Sequence, residues 1–143
     1  MVRKYNPKNY KICIIGLGYV GLPLLLQFSK YFDVFGVDKS VDRINALKNG
    51  IDPSAEISNS ALKLLDKNTL KYNLNDIPNC DVYLCTLPTP ISDDKKPDLA
   101  ALIDFCNTVG LKITKNNTIV FESAVYPGVT EDVCIPILER KSG

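Results

Sequence analysis

The stretch Gly16-Leu17-Gly18-Tyr19-Val20-Gly21 decides the fold. Ahead of it, Tyr10 to Ile15 reads YKICII, a short apolar run rich in β-branched residues. That pattern predicts a strand buried on both faces, as a parallel sheet requires. Behind it, Val20, Leu24, Leu25 and Phe28 recur at helical spacing and predict a helix to about Lys30. Pro23 falls in its first turn, where no internal N–H partner is lost. A glycine-rich turn between such a strand and such a helix gives each glycine a task. Gly16 permits the tight turn, Gly18 lets the backbone come close to a pyrophosphate, and Gly21 lets the helix pack closely on the strand. The helix start, with Tyr19 and Val20, offers unpaired N–H groups and a partial positive charge to phosphates.

The next elements complete the pattern. Phe32 to Val37 predicts a second strand closed by Asp38, 22 residues after Gly16, where a carboxylate can accept bonds from ribose hydroxyls. Glycines at this spacing also gather in plain turns. Strand, helix and distant acid together predict a dinucleotide-binding Rossmann domain. NAD is favoured over NADP because Asp38 would repel a 2′-phosphate, although Lys39 and Arg43 pull the other way. Arg43 reads equally well as a solvated helix charge.

Further along, Ser40 is placed to cap a helix carrying Val41, Ile44 and Leu47 on one face, with Gly50 as its stop. Ser60 to Lys67 predicts a helix with Leu62, Leu64 and Leu65, and Thr69 to Leu74 a weak edge strand. Asp81 to Thr86 (DVYLCT) predicts a fourth strand, broken by Pro88 and Pro90 and followed by a polar loop from Ile91 to Pro97. Asp98 is placed to cap a helix with Leu99, Leu102, Ile103, Cys106 and Val109 inward, and Thr118 to Glu122 predicts a fifth strand. Thr130 opens a last helix through Val133, Ile137 and Leu138, with Pro136 an awkward member.

Strands alternating with helices imply an α/β, doubly wound parallel sheet forming a single domain over residues 1–143. Right-handed crossovers put the strands' C-terminal ends on one edge. There Gly16, Asp38, the Thr86–Pro90 segment and the Glu122–Gly128 segment meet, and ligands of open α/β sheets bind along that edge. Glu122 reads there either as a functional group or as a strand-end charge facing water.

Composition narrows the classes. Of 143 residues, 45% are apolar and 23% charged, and the net charge of +1 gives no electrostatic case for a nucleic-acid or membrane-surface partner. Apolar runs are far below a bilayer span, and no apolar signal core follows the basic start Met1–Pro7, which points to the cytoplasm. The five cysteines, Cys13, Cys80, Cys85, Cys106 and Cys134, include no C-x-x-C pair, and there is no histidine. A disulfide framework and a metal site are both disfavoured, and acid–base work falls to carboxylate, lysine or tyrosine.

Four segments resemble the N-terminal domain of the nucleotide-sugar 6-dehydrogenases, the UDP-glucose/UDP-N-acetylhexosamine dehydrogenase family. They are GLGYVGLP (Gly16–Pro23), GVDKSVDRINALKNG (Gly36–Gly50), PTP with PDL (Pro88–Pro90 and Pro97–Leu99) and ESAVYPGVTEDVCIPILE (Glu122–Glu139). The last resembles the branch acting on N-acetylated UDP-hexosamines more than the UDP-glucose branch. The resemblance implies a two-step, four-electron oxidation of a UDP-sugar C6 alcohol to a carboxylate, with two NAD reduced and the intermediate held on a cysteine. Such products feed capsule, O-antigen or other surface polysaccharides. It maps Gly16, Gly18, Tyr19, Val20 and Gly21 to the pyrophosphate, Asp38 and Arg43 to the adenosine ribose, Thr89 to a cofactor contact, and Glu122 and Ser123 to the strand end beside the nicotinamide.

The chain departs from the family in two ways. Ala124 stands where the family usually has a threonine that positions a catalytic water, so that role is lost or passes to Ser123. The Ser-Pro-Glu segment, the catalytic lysine and the nucleophilic cysteine motif should lie beyond Gly143, as should the UDP-sugar-binding domain and the central helix of the family's homodimers. The chain is therefore expected to bind NAD without turnover. Among its own cysteines, Cys13 and Cys106 read as packing, Cys134 reads either way, and Cys85, near the end of the fourth strand, is the best placed nucleophile, although no local cation would activate it. Two alternatives compete: a stand-alone nucleotide-binding module, and an S-adenosylmethionine-dependent methyltransferase, in which the PTP and ESAVYPG segments would have no evident purpose.

Overall fold

The computed structural model describes residues 10–91 and 95–143, so the basic start Met1–Pro7 and residues 92–94 of the polar loop lie outside it. Five strands, β1 (Lys11–Ile15), β2 (Asp33–Val37), β3 (Leu70–Lys71), β4 (Val82–Cys85) and β5 (Thr118–Phe121), form one sheet in the order β3-β2-β1-β4-β5. Every pairing is parallel, with Ile15 in register with Val37 on one side and Cys85 on the other. The strands' C-terminal ends therefore share one edge, as expected.

The apolar run of β1 is divided between two cores. Ile12 and Ile14 join Leu22, Leu25, Ile44 and Leu47, the buried faces of α1 (Gly21–Phe28) and α2 (Val41–Lys48). Cys13 and Ile15 face the other way, toward Phe105 and Val109 of α4 (Ala100–Gly110) and Leu138 of α5 (Ile135–Ser142). Period-two alternation with both faces covered accounts for a strand with no polar side. The Ser40 hydroxyl accepts from the Arg43 N–H at 3.2 Å and caps α2, and Gly50 ends it with φ +77°.

The middle of the chain corrects four expectations. The helix expected over Ser60–Lys67 is a single turn, α3 (Asn59–Leu62), and Leu64 is 85% exposed. Beyond its end, the Asp66 carboxylate accepts from the Asn68 N–H at 2.9 Å and starts a separate 3₁₀ turn. The edge strand expected over Thr69–Leu74 shrinks to Leu70–Lys71, since Asn73 caps another 3₁₀ turn. Asp98 does not cap α4. Its side chain accepts from the Ala100 N–H at 2.9 Å, and the helix starts one residue later without a side-chain cap. Ile103, expected inward, is exposed, while Phe105 turns inward against Phe121 in an edge-to-face pair at 5.7 Å. At the C-terminus, Pro136 is accommodated in the first turn of α5 behind a π-helical turn, Thr130–Cys134, where the hydrogen-bond register changes.

Candidate cofactor-binding site

An open cleft of about 820 Å³ runs along the C-terminal edge of the sheet. Its middle is the glycine loop over β1. One end lies beyond β2 at Asp38, Lys39, Arg43 and Tyr72–Leu74, and the other over β4 and β5 at Thr86–Pro90 and Glu122–Ala124.

The loop is held from below. Gly16 adopts φ +99°, open to glycine at little cost, and its N–H continues the β2 ladder to the Val37 carbonyl at 2.8 Å. Thr86, buried at the end of β4, has its hydroxyl 2.5 Å from the Gly16 carbonyl oxygen and 3.0 Å from that of Ile15. A Cβ on Gly21 would lie 2.5 Å from Thr86 Oγ1 and overlap the Gly16 carbonyl oxygen. Gly21 is thus required for α1 to sit on the loop.

The loop is also held from the side. Asp38 accepts from the Leu17 N–H through Oδ2 at 2.9 Å and from the Ser40 N–H through Oδ1 at 2.9 Å. Arg43 Nη1 donates to the Leu17 carbonyl at 3.1 Å, so the two charged residues hold Leu17 through its N–H and its C=O. Arg43 also lies 3.9 Å from Asp52 Oδ1, and its side chain is only 25% exposed. The reading of Arg43 as a solvated helix charge is therefore corrected: it is tied into the loop.

Asp52 was not visible as part of the site. Its buried carboxylate accepts from the Ser54 N–H (3.0 Å), the Ser54 hydroxyl (2.6 Å) and the N–H groups of Glu56 and Ile57 (3.0 Å each). Burial pushes the carboxyl pKa up, but these hydrogen bonds outweigh it and hold the group below its ordinary value. The Asp52-Pro53-Ser54 sequence carried that turn signal.

The residues present fit a dinucleotide. A Cβ built on Gly18 meets nothing within 4 Å, so the backbone there faces open cleft, and the N–H groups of Tyr19 and Val20 have no acceptor among the described residues. Tyr19 is 74% exposed at the rim. An acceptor-rich diphosphate matches that row of donors at the start of α1.

The other end is built by crossed hydroxyls. Thr89 Oγ1 donates to the Ala124 carbonyl at 2.5 Å and Ser123 Oγ to the Leu87 carbonyl at 2.7 Å, which ties the loops after β4 and β5 together. Their protons are engaged within the protein, so toward a ligand or water both hydroxyls present acceptors. Glu122 stands exposed at the rim, its N–H bonded to the Cys85 carbonyl at 2.9 Å. Cys85 is fully buried and its Sγ lies 3.7 Å from Ser123 Oγ; burial pushes its thiol up, away from a reactive thiolate. Cys134 is settled as core: it is 1% exposed, and burial raises its thiol too. All five cysteines are free and buried, and no cluster among the described residues fits a metal ion. No helix among the described residues is long and apolar enough to cross a membrane.

Comparison with known proteins agrees with this geometry. UDP-N-acetyl-D-glucosamine 6-dehydrogenase of Pseudomonas aeruginosa is 41% identical over 136 residues, covering 95% of this chain and 32% of that protein. The enzyme of the same name from Salmonella typhi is 46% identical over 135 residues, 93% of this chain and 31% of its own. The structure of UDP-D-ManNAc dehydrogenase from Pyrococcus horikoshii superposes with a TM-score of 0.80 at 30% identity, over 93% of this chain and 32% of that one. The chain spans about a third of the length of these relatives. The sequence model of the UDP-glucose/GDP-mannose dehydrogenase family, NAD binding domain, matches residues 10–143, and the S-adenosylmethionine alternative falls with that match. The chain belongs to the UDP-glucose/GDP-mannose dehydrogenase family, as its NAD-binding domain.

Proposed function

We propose that the chain is the cofactor-binding part of a nucleotide-sugar 6-dehydrogenase that oxidises the C6 alcohol of a UDP-N-acetylhexosamine to the uronate for surface polysaccharide. The relatives named for UDP-N-acetylated sugars favour that substrate class. The observation that carries the reading is the open cradle above Gly18, fixed by Thr86 below it and by Asp38 and Arg43 through Leu17. Bound there, NAD supplies the hydride acceptor.

The chain's own residues then divide the work. Gly16, Gly18, Tyr19, Val20 and Gly21 hold the pyrophosphate. Asp38, which retains free lone pairs beside its two backbone bonds, accepts from the adenosine ribose, while Arg43 keeps the loop in register. Thr89, Glu122 and Ser123 form the wall at the nicotinamide end. Ser123 can accept a hydrogen bond from water but has given its proton to Leu87, and Ala124 contributes only its carbonyl, which Thr89 occupies. The catalytic cysteine, the sugar-binding domain and the helix that pairs two subunits belong to a longer protein working in the cytoplasm as a homodimer.

Titration calorimetry with NADH on the folded chain is expected to show one site, and absence of binding heat would sink the reading. NAD reduction by this chain alone, dependent on UDP-N-acetylglucosamine, would sink the assignment of catalysis to residues outside it.

A further inference from the structure

The cleft extends past Asp38, beyond what a ribose fills, and its far end has chemistry of its own. One wall is Tyr72, Asn73 and Leu74, in the loop that follows β3. The facing wall is α4, where Ala101, Asp104, Phe105 and Thr108 fall at i, i+3, i+4 and i+7 and therefore form one stripe. Leu74 and Phe105 are both nearly fully buried and belong to one core cluster, so the floor of the cleft here is apolar.

The rim above that floor presents a definite pattern. The Asp104 carboxylate has no hydrogen-bond or ionic partner among the described residues, so it is an acceptor without an occupant. The Thr108 hydroxyl donates to the Asp104 carbonyl at 2.9 Å, leaving its oxygen as a second acceptor. On the opposite wall, Asn73 Oδ1 accepts from the Asn75 N–H at 2.9 Å, which leaves its amide N–H₂ as donor. Acceptors on one wall and a donor on the other complement a base that carries an exocyclic amine on one edge and a ring nitrogen on another. Between a 6-amino and a 6-oxo purine this favours adenine, since the 6-oxo base would turn a carbonyl oxygen toward the carboxylate.

We infer that Asp104 is a specificity residue that reads the adenine amine of the dinucleotide. The inference rests on the NAD-binding reading and adds base discrimination to it. In the bound state the Asp104 carboxylate accepts from the 6-amino group, Tyr72 closes over the ring from the solvent side, and Leu74 and Phe105 form the floor.

The test compares NADH with reduced nicotinamide hypoxanthine dinucleotide, in which only the 6-amino group is replaced by oxygen. The unaltered chain is expected to bind NADH about tenfold tighter, the size of one hydrogen bond to a charged acceptor. Asp104→Ala should bring the ratio of the two dissociation constants close to one, with unchanged thermal stability because the side chain is exposed. Asp104→Asn, which keeps an acceptor oxygen, should restore most of the discrimination. Because the ratio cancels any general effect of removing a negative charge, a ratio unchanged in Asp104→Ala overturns the assignment. No NADH binding by the unaltered chain overturns the dinucleotide reading together with this one, whereas binding without base preference overturns this one alone.

Discussion

Replacing Gly21 by alanine places a Cβ over the Gly16 carbonyl oxygen and 2.5 Å from Thr86 Oγ1, neither of which is the loose end of a side chain. Carbon and oxygen in contact need more than 3 Å, so α1 must lift from the loop or the loop must lose its bond to Thr86. Overpacking of a tight site costs about 1–3 kcal/mol, and the upper end applies where backbone must move. For a chain of this size, about 3 kcal/mol lowers Tm by roughly 10 °C. Gly18→Ala, though only three residues away, should behave oppositely. Its Cβ meets nothing within 4 Å, and Gly18 is not among the glycines with positive φ. Restricting the unfolded chain then stabilises by about 0.4–1 kcal/mol, and Tm should hold or rise slightly. The same Cβ fills the space a diphosphate needs, so NADH affinity should fall at least about tenfold, or about 1.4 kcal/mol. Thermal unfolding followed by circular dichroism and NADH titration on both variants separate the two effects. Unchanged NADH affinity in Gly18→Ala refutes the placement of the pyrophosphate, and an unchanged Tm in Gly21→Ala refutes the tight contact between helix and loop.

Thr86→Val keeps the shape of the side chain but orphans the buried Gly16 carbonyl; a loss of about 1–3 kcal/mol by denaturant unfolding is expected, with Thr86→Ser recovering most of it. Asp52 is held below its ordinary pKa, so its contribution is fully present above the unfolded value of about 3.9 and is lost as pH falls through the lower folded value. Asp52→Asn should therefore destabilise at neutral pH and flatten the acid limb of stability against pH; an acid limb as steep as in the unaltered chain would show that other carboxylates carry it.

The first half of the fold was legible because its determinants are local. From Tyr10 to Gly50 three boundaries are set by single residues: the end of β1 by Gly16 with its positive φ, the start of α2 by the Ser40 cap to Arg43, and its end by Gly50. The region from Ser60 to Leu74 was not, because Leu62, Leu64 and Leu65 fit a helical stripe while Asp66 and Asn73 offer the backbone competing turns. On α4, two overlapping stripes are both helical in period, and only the sheet decides that Phe105 goes in and Ile103 out. The site divides the same way. The glycines and Asp38 were readable from spacing, whereas Thr86, Asp52 and the grip on Leu17 depend on contacts between segments distant in sequence.

That grip changes what Asp38 means for cofactor choice. A carboxylate at the end of β2 is ordinarily read as an electrostatic filter against a 2′-phosphate, and on that reading its removal should admit NADP, helped by Lys39 and Arg43. Here the same carboxylate holds the Leu17 N–H with one oxygen and the Ser40 N–H with the other, and it is the only partner of either among the described residues. Asp38→Ala removes the filter and the loop's tether in one step, and leaves the Leu17 carbonyl held by Arg43 alone. NADH and NADPH affinities should both fall, NADH by more, instead of NADPH rising to the level NADH had. Asp38→Asn keeps an oxygen for only one of the two N–H groups, so it should weaken NADH less than alanine does, without a full switch. Parallel calorimetry of the three chains with both cofactors decides the point: NADPH binding by Asp38→Ala as tight as NADH binding by the unaltered chain would mean that the tether contributes nothing and that charge alone selects the cofactor.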